Sequence, residues 1–341
     1  MFNCRRFHPT FWRRTFVSTT ATTTSTTTAT TTAPPFVSST PQLAKLNWFP
    51  GHMAKALRHI DHQLSSVNAV IEVRDARIPF SSANHQFDEM VRERNKPRSI
   101  VFTKSDLTDA ASRHHVQRHL LKERGVSSIY TNATRSTHVK KIIQTSVKHV
   151  NMKFKMSAAL LLVVGMPNAG KSTLINTLRT GAVRSEKGKK GTGKRKSRVA
   201  ATGALPGMTR QVSSIQVVND PAVYVLDTPG IMVPRVNDTE TGLKLGLTGA
   251  LPDKVIDAET MVEYLLWVLH REYNEGTHSC LSKKCWDILG VTGPTLDVHH
   301  VLDKVAMRYG KNAATDDPAL YCLSQYRKGL LGHMCLDKHV V

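Results

Sequence analysis

The chain has 341 residues, with 47 Lys and Arg against 26 Asp and Glu, a formal charge of +21. That length argues for more than one core, and that charge favours polyanions such as RNA, DNA or anionic lipid over basic partners. Five irregularly spaced cysteines argue against a disulfide framework; Cys280 and Cys285 match no standard zinc spacing, and no stretch is long and apolar enough for a transmembrane helix.

Residues 1–60 contain no Asp or Glu. Arg5, Arg6, Arg13 and Arg14 sit among Phe2, Phe7, Phe11, Trp12 and Phe16, and a Ser/Thr-rich run follows over residues 18–32. This is the composition of a mitochondrial transit peptide, with an ordinary basic tail as the alternative. Residues 1–42 are therefore read as a leader plus a disordered Thr-rich segment.

From residue 43 the pattern alternates. Asn68-Ala69-Val70-Ile71-Glu72-Val73 reads as a strand ending at Arg74-Asp75-Ala76-Arg77-Ile78-Pro79, and a helix follows over 84–94. Ser99-Ile100-Val101-Phe102 is a second strand, ending at Thr103-Lys104-Ser105-Asp106. After a helix over 111–124, Ser127-Ser128-Ile129-Tyr130 is a third, ending at Thr131-Asn132-Ala133. Such alternation predicts an α/β fold, a parallel sheet with helices on both faces, and ligands bound at the carboxyl ends of its strands.

A basic helix over 138–150 leads to the apolar run Ala158-Ala159-Leu160-Leu161-Leu162-Val163-Val164. Then comes Gly165-Met166-Pro167-Asn168-Ala169-Gly170-Lys171-Ser172-Thr173, which reads G-x-x-x-x-G-K-S between a strand and a helix. That context is the one a phosphate-binding loop needs. Its glycines let backbone N–H groups converge on phosphates, and the helix N-terminus adds its positive dipole end. Lys171 is expected to reach the β- and γ-phosphates and Ser172 to hold Mg²⁺. With a phosphate loop in the chain, the earlier strand end gains meaning. The Asp106 carboxylate can accept two hydrogen bonds from the guanine edge, which adenine cannot offer, while the stem of Lys104 covers the base plane. A solvated lysine and a helix-capping aspartate are the bland alternative.

Residues 184–198 form a Gly-rich basic run within an expected insertion over 184–203. Binding to RNA phosphates and simple solvation are equally compatible with it. Pro206-Gly207-Met208-Thr209 follows, where Thr209 could close on Mg²⁺ when a γ-phosphate is present. Strands over 211–218 and 222–226 lead to Asp227-Thr228-Pro229-Gly230. Asp227 suits the outer Mg²⁺ shell, and the Gly230 N–H suits the γ-phosphate. Ile231 has neither donor nor acceptor and cannot orient an attacking water, so intrinsic hydrolysis is expected to be slow. Helices are expected over 239–247, 257–273, 295–309 and 318–329, and residues 250–341 are read as a small all-α domain.

Taken together the chain resembles the circularly permuted GTPases, in particular the mitochondrial ribosome-assembly GTPase 1 group and bacterial ribosome biogenesis GTPase A. The base-reading motif precedes the phosphate loop, the reverse of the usual order. Trp48-Phe49-Pro50-Gly51-His52-Met53-Ala54-Lys55-Ala56, Asp75-Ala76-Arg77-Ile78-Pro79, the loop from Gly165 to Thr173, Pro206-Gly207-Met208-Thr209, Asp227-Thr228-Pro229-Gly230-Ile231 and Gly242-Leu243-Lys244-Leu245 all match.

The resemblance implies a circularly permuted GTPase domain over 43–245. It implies guanine contacts from Thr103, Lys104, Ser105 and Asp106 and backbone contacts from Asn132 and Ala133. Phosphate contacts are implied for Asn168, Ala169, Gly170, Lys171, Ser172 and Thr173, a γ-phosphate contact for Gly230, and K⁺ on Asn168. On that reading Lys171, Thr209 and Asn168 serve catalysis, and Ser172, Thr209 and Asp227 serve Mg²⁺. The implied task is assembly of the large mitochondrial ribosomal subunit by a monomer, in the matrix or at the inner membrane. Thr103 departs from the family, whose base motif begins with Asn; Thr offers less reach. The basic insertion is also longer than usual. A nucleotide-bound RNA scaffold with negligible hydrolysis is the rival reading, and an ATP-dependent kinase or ATPase a third.

Overall fold

The computed structural model describes residue 36 and residues 51–148, 158–187, 214–219, 222–228, 236, 238–276, 283–309 and 317–338. The leader apart from Phe36, Trp48-Phe49-Pro50, the insertion beyond residue 187, and residues 206–209 and 229–231 lie outside them. Thr209, Gly230 and Ile231 are therefore not placed.

Six strands form one sheet: β1 Ala69–Asp75, β2 Arg98–Thr103, β3 Ser127–Tyr130, β4 Ala159–Gly165, β5 Ser214–Asn219 and β6 Ala222–Asp227. Their order is β3-β2-β1-β4-β6-β5. Neighbours run parallel except at the edge, where β5 pairs antiparallel with β6. The short connection from β5 to β6 has room for a hairpin and none for a crossover helix, which fixes that exception to the expected parallel sheet.

The first helices are α1 Gly51–Ser66, α2 His85–Glu93, α3 Ala110–Arg124, α4 Ser136–Lys148 and α5 Lys171–Lys187. After the sheet come α6 Thr239–Leu247, α7 Ala258–Asn274, α8 Lys283–Ile288, α9 Val298–Tyr309 and α10 Pro318–Arg327. Side-chain caps mark several starts: Asp109 accepts from the Ser112 N–H, Asp257 from Thr260, and Asp317 from Ala319. The sequence pattern missed α8, a six-residue helix whose buried apolar anchors are Cys285 and Trp286.

The strands alternate as the pleat requires. Leu161 and Val163 of β4 enter one hydrophobic cluster, while Leu162 and Val164 enter another with Ile60 and Leu64 of α1 and Phe87 and Val91 of α2. The first cluster takes in Ile142 and Ile143 of α4 and Leu174 of α5. It runs on without a break through Leu243, Leu265, Val301 and Leu323 of the later helices. Residues from Phe36 onward form one compact unit, so α6–α10 share the core of the sheet. Phe36 falls in the expected leader, yet its ring packs edge-on against Tyr264 and Trp267 of α7.

Strand order places the site. The chain steps outward from β1 through β2 to β3, then starts β4 on the other side of β1. That reversal opens a crevice at the carboxyl ends of β1 and β4. There the two backbones touch. A Cβ on Gly165, whose φ is +150°, would lie 2.1 Å from the Val73 carbonyl oxygen, so only glycine fits.

Candidate functional site

The phosphate-loop motif spans the turn from β4 into α5. Asn168 (φ +56°) and Gly170 (φ +89°) take the left-handed conformation that curls such a loop. Within it the Ala169 N–H donates to the Met166 carbonyl, at 3.3 Å. The Lys171 ammonium folds back to donate to the same carbonyl at 2.8 Å. Lys171 is only 7% exposed. Burial pulls its pKa down to about 8, against the opposing pull of Asp227. Asp227, at the end of β6, is pushed upward by burial, with Lys171 and the Thr228 N–H pulling back. Ser172 and Thr173 stand exposed on the first turn of α5. The Thr228 hydroxyl donates to the Val163 carbonyl at 2.7 Å and ties the end of β6 to β4.

The motif expected to read the base arrives beside this loop. Thr103 closes β2 fully buried, and its hydroxyl lies 2.5 Å from the Ala169 carbonyl and 3.1 Å from that of Arg74. It joins the motif to the phosphate loop. Lys104 takes a left-handed conformation, φ +54°, and its ammonium meets the Asp75 carboxylate at 2.9 Å. Ser105 is buried and its N–H donates to the Thr131 carbonyl, locking β2's end to β3's. Asp106 is exposed in the 3-10 turn Ser105–Leu107, and its side chain has no hydrogen bond among the described residues. Asn132 accepts from Thr134, and the Ala133 carbonyl accepts from Thr177 of α5 at 2.7 Å. The described part of the expected site thus converges on one end of the sheet.

Two features escaped the sequence reading. The first is the role of Asp75 and Arg77, residues noted only as part of a matching motif. Asp75 accepts from the Arg77 N–H and from its guanidinium at 3.0 and 2.8 Å. Burial would raise the carboxyl, but Arg77 and then Lys104 outweigh it and hold it well below the usual carboxylate range. The second is Gly249, whose carbonyl accepts from the Asn168 side-chain amide at 2.7 Å. The charges of Arg74-Asp75-Ala76-Arg77 straight after an apolar strand were a visible signal for the first. A backbone carbonyl carries none for the second.

A family model described as 50S ribosome-binding GTPase matches residues 161–281. The chain is 37% identical over 309 residues to mitochondrial ribosome-associated GTPase 1 of Mus musculus, covering 86% of this chain and 90% of that one. The chain belongs to the family of ribosome-associated GTPases. The protein of the same description in Bos taurus is 35% identical, covering 86% of this chain and 89% of that one. Ribosome biogenesis GTPase A of Bacillus pumilus is 33% identical, covering 74% of this chain and 83% of that one. The family model begins within β4, so in this GTPase the strand ends carrying Asp75, Thr103 and Asn132 precede the matched segment.

Proposed function

We propose that this GTPase is an assembly factor for the large subunit of the mitochondrial ribosome. It acts as a monomer, in the matrix or on the matrix face of the inner membrane, and couples its nucleotide state to binding of ribosomal RNA. Mitochondrial ribosome association in the names of the mammalian relatives, and ribosome biogenesis in that of the bacterial one, support the task. The acid-free leader supports the compartment.

The single observation behind the nucleotide site is the Thr103–Ala169 contact, which lets one ligand span both motifs. In this reading Asp106 accepts from the guanine edge, Lys104 covers the base, and Thr103 and Ser105 hold that corner in shape. Asn132 and Ala133 close over the base. The N–H groups from Asn168 to Thr173 cradle the phosphates, and Lys171 swings from the Met166 carbonyl to the β- and γ-phosphates.

A hydroxyl at Ser172 and a half-buried carboxylate at Asp227 are oxygen donors suited to Mg²⁺, with Thr209 completing the set and Asp227 behind water. Asn168 presents its amide oxygen for K⁺, because its nitrogen is held by Gly249. Gly230 would donate its N–H to the γ-phosphate, and loss of that phosphate would release Thr209 and Gly230 together. With Ile231 unable to orient water, turnover depends on the ribosome.

Co-sedimentation with large ribosomal subunits, with GTP, a non-hydrolysable analogue or GDP bound, tests the task. Pelleting that ignores the nucleotide, together with phosphate release unchanged by subunits in K⁺ or Na⁺, would refute it. For the site, Asp106→Asn is expected to abolish GTP binding without altering the melting temperature of the free protein.

A further inference from the structure

The nucleotide site is held from behind by two consecutive residues of the last helix. Arg327, at the end of α10, donates to the Gly246 carbonyl at 2.9 Å, which also accepts from the Gly249 N–H, and to the Leu247 carbonyl at 3.2 Å, both at the C-terminus of α6. Asp253 anchors the same guanidinium at 2.6 Å. The chain then turns through Gly249, whose φ is +76° and where a Cβ would crowd Arg327 Nε at 3.3 Å. Tyr326, fully buried, lies under the Arg77 guanidinium, 5.5 Å from carbon to ring centroid.

The turn so fixed presents two adjacent carbonyls. Thr248 O accepts from Arg77 at 3.3 Å, and Arg77 holds Asp75, which holds Lys104 on the base side. Gly249 O accepts from Asn168 on the phosphate side. A carbonyl can only accept, so the amide nitrogen of Asn168 must face it and the amide oxygen is turned away from it.

We propose that Tyr326 and Arg327 are positioning residues for the nucleotide: one orients the base-side lysine through Arg77 and Asp75, the other the phosphate-loop asparagine through Gly249. A load on α10 would reach both ends of the ligand through this pair. The inference rests on the nucleotide site proposed above.

Release of N-methylanthraniloyl-GDP from the full chain tests it. Arg327→Met and Tyr326→Leu are each expected to speed release by about fivefold or more, the low end of coupling between sites. The decisive readout is non-additivity. Arg327→Met should add nothing in an Asn168→Ala background, and Tyr326→Leu nothing in a Lys104→Ala background. A merely structural role would instead multiply the effects in both cycles, and that result, or release at the wild-type rate, overturns the proposal while leaving the site intact. A wild-type chain without affinity for the labelled GDP would sink the site itself. The Arg327 side chain is 26% exposed, so its replacement leaves no sealed void. Its cycle with Asn168 decides the matter even where Tyr326→Leu does not fold.

Discussion

The two ends of the site treat charge in opposite ways. At the base end every buried charge has a partner: Asp75 lies between Arg77 and Lys104 and stays ionised well below the usual carboxylate range despite its burial. At the phosphate end the Lys171 ammonium hydrogen-bonds a backbone carbonyl and feels Asp227 through space, and burial still brings it down to about 8, while Asp227 is pushed up. A paired charge is already satisfied and serves to hold shape. A desolvated lysine against a carbonyl gains most when an anion arrives. The contrast teaches which end is scaffold and which end is completed by its ligand.

Substitutions can break that contrast. Asp75→Ala should do the most damage, because it strands Arg77 and Lys104 without their counter-charge. A loss of about 3–5 kcal/mol is expected, read by urea unfolding of the nucleotide-free protein. Thr103→Val leaves the buried Ala169 carbonyl without its donor and should cost about 1–3 kcal/mol, with weaker GDP binding because the loop loses its tie to β2. Lys171→Ala should behave in the opposite sense to Asp75→Ala. Removing a desolvated charge should leave the free protein as stable or about 1 kcal/mol more stable, yet abolish the rise in melting temperature that GTP brings. A large loss of stability in the free Lys171→Ala protein would erase the distinction between the two ends.

The mildest test is pH. The folded pKa of Lys171 lies below its ordinary value, so the free folded state binds fewer protons than the unfolded one above about 8. The Lys171 contribution to stability of the free protein therefore rises as pH climbs through that window. GTP binding has the opposite slope. Phosphates favour the charged ammonium, so affinity should be flat below about 8 and fall above it, with uptake of a proton on binding. Isothermal titration calorimetry in buffers of different ionisation heat measures that uptake. The Lys171→Ala protein should show none of it.

The sheet and its strand-end motifs could be read directly. Val70 and Ile71, or Leu161 and Leu162, alternate between clusters as a pleat demands, and short apolar runs followed by polar turns leave few other folds. The phosphate loop was equally plain, because Gly165 and Gly170 frame its motif and stand at φ values, +150° and +89°, that side-chain-bearing residues rarely adopt. The helices after Leu247 were harder. Their apolar faces mark them as helices without saying what they cover, and it is the shared cluster with the strands that joins them to the sheet.

Local chemistry wrote the alternation of strands and helices and the phosphate-loop pattern into the chain, since each depends on residues a few positions apart. Only the folded molecule decided that Thr103 would reach Ala169, that Asp75 would serve both Arg77 and Lys104, and that Tyr326 and Arg327 would stand behind both ends of the site. Those contacts link residues distant in the chain, and several run through backbone carbonyls, which every residue carries and no residue name reveals.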